Sequence, residues 1–308
     1  MAKNLLSIYD LSQKQIWEIL KLALDLKKNK KAPKLLEGKT LGMIFEKPST
    51  RTTVSFAVAM HQLGGFPLLL NAQNLQTKRG ESLHDTSLTM SRYVDGVVFR
   101  TFKHADVEEY IKWSSIPVVN GLTDLEHPCQ VLADILTVIE KKKIRNPADL
   151  KKIHVAFVGD GNNIANSWLG AAGLLGFKFT LARPSGYGPD KKILIKAYYH
   201  AKKTGAKIEV LTDPKQAVKD ADIVYTDVWI SMGDESQKKK RKNAFKKYQI
   251  NQKLLCLAKK DCYVMHCLPA NRGEEITADV MDGKQSIVFD QAENRLHLQK
   301  AVLAYLLK

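Results

Sequence analysis

The run Glu46-Lys47-Pro48-Ser49-Thr50-Arg51-Thr52-Thr53 follows directly on the short apolar stretch Thr40–Phe45. Its hydroxyl residues precede the apolar-periodic Val54, Phe56, Val58 and Met60, the pattern of a helix N-terminus. Free backbone N–H groups, hydroxyls and one guanidinium would then converge on one point, which suits a phosphate. Ordinary N-capping, with Arg51 solvated, accounts for the letters equally well. A second constellation, Asp124-Leu125-Glu126-His127-Pro128-Cys129-Gln130, opens a long helical pattern. Proline suits the first turn, where its missing N–H costs nothing, and the histidine before it stands beside the positive end of the helix dipole. A capping histidine and a buried structural cysteine are the plainer explanation of those letters.

Two other groupings suggest chemistry and then lose ground. Val158-Gly159-Asp160-Gly161-Asn162-Asn163-Ile164 follows a strand pattern and opens a helix, as a dinucleotide fingerprint does. Ile164 stands where the third glycine belongs, and the next strand ends in Arg183 with no acidic residue for a ribose. Asn162 and Asn163 at that helix start suit an α-carboxylate instead. Cys129, Cys256, Cys262 and Cys267, with His266, fit no common zinc spacing and no disulfide framework, so no metal and no cofactor is expected.

The net charge of +16 raises nucleic acid as a partner. Lysines far outnumber arginines, however, and lie in dispersed runs such as Lys141-Lys142-Lys143 and Lys238-Lys239-Lys240 without interleaved aromatics. That pattern describes a solvated surface, and no nucleic-acid partner is expected. Apolar stretches such as Leu68-Leu69-Leu70 fall far short of a membrane span. The amphipathic start (Leu11, Ile16, Ile19, Leu20) lacks the apolar core of a signal peptide, so a cytoplasmic location is expected.

The elements that must position these residues alternate. Strands are expected at Thr40–Phe45, Leu68–Leu70, Val97–Arg100 and Pro117–Asn120. A second set is expected at Ile153–Val158, Lys178–Leu181, Lys207–Leu211, Ile223–Val228, Cys262–His266 and Ser286–Phe289. Helical patterns between them, at Ser82–Tyr93, Asp190–Lys203 and Pro214–Asp220, indicate an α/β fold with parallel sheets. A long helix from His127-Pro128 runs past Ile139 to a lysine-rich end. The polar stretch Ile144–Asp149 after it puts a domain boundary near 140–150. The last segment, Glu293–Lys308, has one apolar helical face.

Ser-Thr-Arg-Thr after the first strand, with His-Pro-Cys-Gln some 75 residues later, resembles the carbamoyltransferases. Asp227-Val228-Trp229-Ile230-Ser231-Met232-Gly233 and His266-Cys267-Leu268-Pro269 narrow the resemblance to those acting on ornithine; the aspartate enzymes lack both. The resemblance implies two doubly wound parallel-sheet domains bridged by helices, with the active site in the cleft between them. Residues 1–140, joined by the helix 293–308, would bind carbamoyl phosphate, and residues 150–292 would bind L-ornithine. Ser49, Thr50, Arg51, Thr52, Arg100, His127, Pro128, Cys129, Gln130 and Arg295 match the carbamoyl-phosphate site, with Cys267 and Leu268 lining it. Gln76, on a loop that in the family reaches a neighbouring subunit, is a further match. Asn163, Asp227, Ser231 and Met232 match the ornithine site. Arg51, Arg100, His127 and Cys267 are the implied catalytic residues, the first three directing positive charge at the carbonyl oxygen and Cys267 orienting the amine. A homotrimer, or a multiple of it, is implied as well.

Overall fold

The computed structural model describes residues 3–29, 33–71, 75–230 and 235–308. It divides into two compact units, Met1–Leu136 with Glu293–Lys308, and Thr137–Ala292. In the first, helices α1 (Gln13–Lys28), α2 (Thr50–Gln62), α3 (Leu83–Tyr93) and α4 (His104–Trp113) alternate with strands β1 (Thr40–Phe45), β2 (Phe66–Asn71), β3 (Gly96–Arg100) and β4 (Val118–Leu122). The four strands form one parallel sheet in the order β2-β1-β3-β4. Every residue of β3 is buried, as expected of a central parallel strand covered on both faces. Edge strand β2 is largely exposed, with Phe66 at 62% and Leu69 at 55%.

Helix α5 (Pro128–Lys141) passes from the first unit into the second, and its residues Pro128–Ile139 are buried all round. The second unit continues with α6 (Pro147–Leu150), β5 (His154–Val158), α7 (Asn163–Leu175), β6 (Lys178–Ala182), α8 (Lys191–Thr204), β7 (Ile208–Leu211), α9 (Pro214–Val218) and β8 (Ile223–Thr226). After β8 come α10 (Lys238–Phe245), α11 (Gln252–Leu255), β9 (Tyr263–His266), α12 (Ala278–Met281) and α13 (Val288–Leu307), which returns the chain to the first unit. The sheet is again parallel, in the order β7-β6-β5-β8-β9. Both units are thus doubly wound α/β folds, and in each the strand order reverses once beside the first strand. The reversal falls between β1 and β3 in one unit and between β5 and β8 in the other. Such switch points leave a crevice at the carboxyl ends of the strands where ligands bind.

Local signals explain the helix starts. Ser12, Ser49, Ser82, Asn162 and Asp190 each cap a helix by accepting a backbone N–H. One expected strand is absent. Ser286 makes a single isolated bridge to Val264, and Val288 already opens α13, so Ser286–Phe289 is not a strand. The β-branched Ile287 and Val288 produced that reading; both are buried where the chain turns into the helix. The terminal helix correspondingly begins five residues earlier than its apolar face indicates.

Candidate active site

The carboxyl end of β1 leads into the N-terminus of α2, and Phe45 lies in register with Arg100 at the end of β3. Ser49 Oγ accepts the Thr52 N–H at 3.2 Å, while helix geometry leaves the first N–H groups of α2, at Thr50 and Arg51, without intrahelical partners. The half-buried Arg51 makes no hydrogen bond or ion pair to another described residue, so its guanidinium is available to a ligand. Arg100 and Arg295, 5% and 3% exposed, both donate to Thr52 Oγ1, at 3.4 and 3.1 Å. Arg295 also donates to Gln130 Oε1 at 2.5 Å. Guanidinium groups gathered over a helix N-terminus suit an anion, since the helix end and the charged donors both favour negative charge.

His127 is buried at the start of α5. Burial, first, and then the guanidinium groups of Arg295 and Arg100, push its pKa well below the ordinary imidazole value. The expectation that His127 brings positive charge is corrected accordingly: the ring is neutral near pH 7. Pro128 forms the first turn as expected. The Cys129 thiol lies 3.6 Å from the Asn120 carbonyl, and burial raises its pKa to about 12. Its side chain is a packing group, leaving only its main chain for a ligand. Gln76 is exposed on the short turn Gln76–Arg79, and no hydrogen bond joins it to the arginine cluster. Lys47, within the same run, carries no role in the sequence reading. It is buried with its ammonium 4.2 Å from the centre of the Phe102 ring, and burial followed by Arg100 lowers its pKa.

The second unit places its candidates at its own switch point. Asp227 follows β8, and its carboxylate accepts from Asn162 Nδ2 at 2.7 Å, from the Val228 N–H at 2.8 Å and from the Cys267 thiol at 3.0 Å. Asn162 Oδ1 caps α7 through Ile164 and Ala165. Asn162 is thereby engaged at both ends, and the expectation that it binds a carboxylate passes to Asn163 alone. Ser231 and Met232 lie outside the described residues. Gly159 has φ +153°, and a Cβ on Gly161 would fall 2.3 Å from the backbone of Gly188 and Pro189. The positive φ at Gly159 and the close approach at Gly161 thus account for both glycines, and no nucleotide is needed to explain them.

Cys267 and Leu268 follow β9. Leu268 adopts φ +60°, a left-handed conformation that is strained for a leucine. Its N–H donates to His266 Nδ1 at 2.9 Å. The ring proton is therefore on Nε2, which donates to Glu275 Oε1 at 3.1 Å. Glu275, wholly buried, also accepts the Asn271 N–H at 2.6 Å. Asp227, His266 and Cys267 bring ligand atoms within 4.8 Å of one another, as a metal site would. Both His266 nitrogens are already occupied in the hydrogen bonds just described, so the imidazole holds the turn and offers no lone pair to an ion. Arg241 pairs with Asp160 and donates to the Trp229 carbonyl at 2.6 Å, tying the loop after β5 to the loop after β8. Arg241 carried no sequence signal, because its partners lie in two separate loops, and Glu275 carried none, because only the turn after β9 brings it onto His266.

One doubly wound unit thus carries a phosphate-type cradle and the other an acidic, thiol-bearing set. Residues 3–140 match the family described as aspartate/ornithine carbamoyltransferase, carbamoyl-P binding domain, and residues 151–306 its Asp/Orn binding domain. The chain belongs to the aspartate/ornithine carbamoyltransferase family. It is 52% identical over 309 residues to an ornithine carbamoyltransferase of Pyrococcus abyssi, with 99% of this chain and 96% of that protein covered. It is 51% identical to an anabolic ornithine carbamoyltransferase of Pyrococcus furiosus, over 98% of this chain and 96% of that one. The solved ornithine carbamoyltransferase of Pyrococcus furiosus superposes with a TM-score of 0.94 at 50% identity, covering 99% of this chain and 97% of that chain. Among the described residues no helix is long and apolar enough to cross a membrane.

Proposed function

We propose that this chain transfers the carbamoyl group of carbamoyl phosphate to the side-chain amine of L-ornithine, giving L-citrulline and phosphate. The observation that carries the reading is the pairing of Arg100 and Arg295 on Thr52 at the N-terminus of α2, an anion cradle built from three separate segments. In this reading residues 1–140 with the helix 293–308 hold carbamoyl phosphate, and residues 150–292 hold ornithine. Ser49, Thr50, Arg51 and Thr52 take the phosphate. Arg51, Arg100 and the neutral His127 donate to the carbonyl oxygen as it becomes an oxyanion, each such donor lowering the barrier by roughly 3 kcal/mol. Gln130 reads the carbamoyl amide, and phosphate leaves into the same cationic cradle.

The nucleophile is the substrate amine. With a pKa near 10.4, only about one ornithine in a thousand or fewer carries a free side-chain amine at neutral pH. Asp227 takes a substrate ammonium, Asn163 the α-carboxylate, and Ser231 and Met232 complete that end. Cys267, tethered to Asp227, orients the amine and forms no covalent intermediate. Proximity supplies the remaining acceleration, which requires the amine within about 3–3.5 Å of the carbamoyl carbon. Aspartate as acceptor is disfavoured by the Asp227 carboxylate, which would face a second negative side chain.

The decisive experiment is citrulline formation with a panel of acceptors. L-ornithine should exceed aspartate and putrescine by several orders of magnitude, because a site of paired polar groups rejects analogues that leave them unpaired. Comparable turnover of putrescine would overturn the assignment. We also propose a homotrimer or a multiple of it, supported by the exposed apolar Val54, Phe66 and Leu69 of the first unit. If Gln76 serves a neighbour's site, Arg51→Ala and Gln76→Ala proteins refolded together should recover about a quarter of wild-type activity. Parental activity despite proven subunit exchange would place both residues in one chain's site. The four free thiols favour a reducing compartment, and we place the enzyme in the cytoplasm.

A further inference from the structure

We propose that Asp134 is a positioning residue that makes the site specific for a carbamoyl group: it fixes the Gln130 amide so that its oxygen meets the substrate NH2. The inference rests on the functional reading above and deepens it. Asp134 lies one turn beyond Gln130 on α5 and is wholly buried. Its Oδ1 accepts from Gln130 Nε2 at 2.7 Å, while Gln130 Oε1 accepts from Arg295 at 2.5 Å. An amide is nearly symmetric in shape, and only its partners decide which end faces which way. Turned over, Gln130 would set its NH2 against a guanidinium and its oxygen against a carboxylate, two repulsive contacts in a buried site. The carboxylate thus holds the nitrogen end away from Arg295 and the oxygen end among the groups that gather on Thr52. An amide oxygen has two lone pairs, so one remains for a donor supplied by the ligand. Carbamoyl phosphate has such a donor in its planar NH2. Acetyl phosphate carries a methyl group there, and inorganic phosphate has nothing.

The test measures KM for carbamoyl phosphate and the inhibition constants of acetyl phosphate and inorganic phosphate. Wild type is compared with Asp134→Leu, Asp134→Asn, Gln130→Ala and the double variant Gln130→Ala/Asp134→Leu. Asp134→Leu removes the acceptor and should raise KM about tenfold, with the other two constants moving less than about twofold. Asp134→Asn keeps an acceptor oxygen and should stay within about threefold of wild type. In the Gln130→Ala background Asp134→Leu should add nothing further, the signature of a residue acting through its neighbour. If Asp134→Leu fails to fold, Asp134→Thr, whose short hydroxyl cannot reach Gln130, is measured in its place. Equal weakening of all three phosphates, or additive effects of the two substitutions, would overturn the proposal. Wild type failing to make citrulline would instead strike the functional reading.

Discussion

The two units solve one topological problem with opposite electrostatics. Each places its polar residues where strand order reverses, at the carboxyl ends of the strands, and each opens a helix there with a capped N-terminus. In the first unit the helix dipole is reinforced by Arg100 and Arg295, and the nearby histidine is driven neutral by burial and then by those two guanidinium groups. In the second the residue between the strands is a carboxylate, Asp227, flanked by an amide and a thiol. The scaffold therefore supplies only a location. The charge delivered to that location decides whether a dianion or an ammonium is held, which is why one fold serves twice in one chain.

The largest effect should come from the cationic side. Arg51→Ala is expected to lower kcat by about a hundredfold or more, since in the proposed reaction the guanidinium stabilises charge that grows in the transition state. A change confined to KM for carbamoyl phosphate would show uniform binding instead. Asp227→Ala should come next, raising KM for ornithine by tens of fold while phosphate inhibition stays near wild type. Steady-state kinetics with each substrate varied in turn would separate the two units, and equal loss for both substrates would end the division of labour.

Smaller still is Cys267→Ala, which should keep measurable activity with ornithine use reduced by roughly tenfold, an effect of orientation. Mass spectrometry should find no carbamoyl-cysteine, and trapping one would assign the thiol to attack. At subsaturating ornithine the rate should rise towards alkaline pH as the amine deprotonates. His127 should contribute no break between pH 6 and 8, and imidazole NMR shifts should show it neutral at pH 6.

The mildest effect concerns stability. His154, in the second unit, is pushed down to about 4 by burial and then by Lys178. The unfolded chain takes up this proton below about pH 6.5 while the folded chain refuses it, so stability falls as pH falls from there to about 4. His154→Gln should flatten that part of a Tm–pH curve. An unchanged slope would leave acid lability to His127 and the first unit.

What could be read from the letters were residues contiguous with a structural signal. Ser49–Thr52 follow a strand and cap a helix and His127-Pro128 open another, whereas Asp227 and Cys267 were marked only by the family resemblance. Periodicity, glycine and proline are local, so they located two parallel-sheet halves and most strands; they failed at Ser286–Phe289, where two buried β-branched residues lead into a helix. Tertiary structure alone decided who meets whom. Arg295 reaches Thr52 across 243 positions, Asp134 turns Gln130, Glu275 fixes the His266 proton, and Arg241 ties two loops together. It also decided that His127 is neutral, because a pKa depends on burial and neighbouring charge, and the order of residues along a chain specifies neither until the chain has folded.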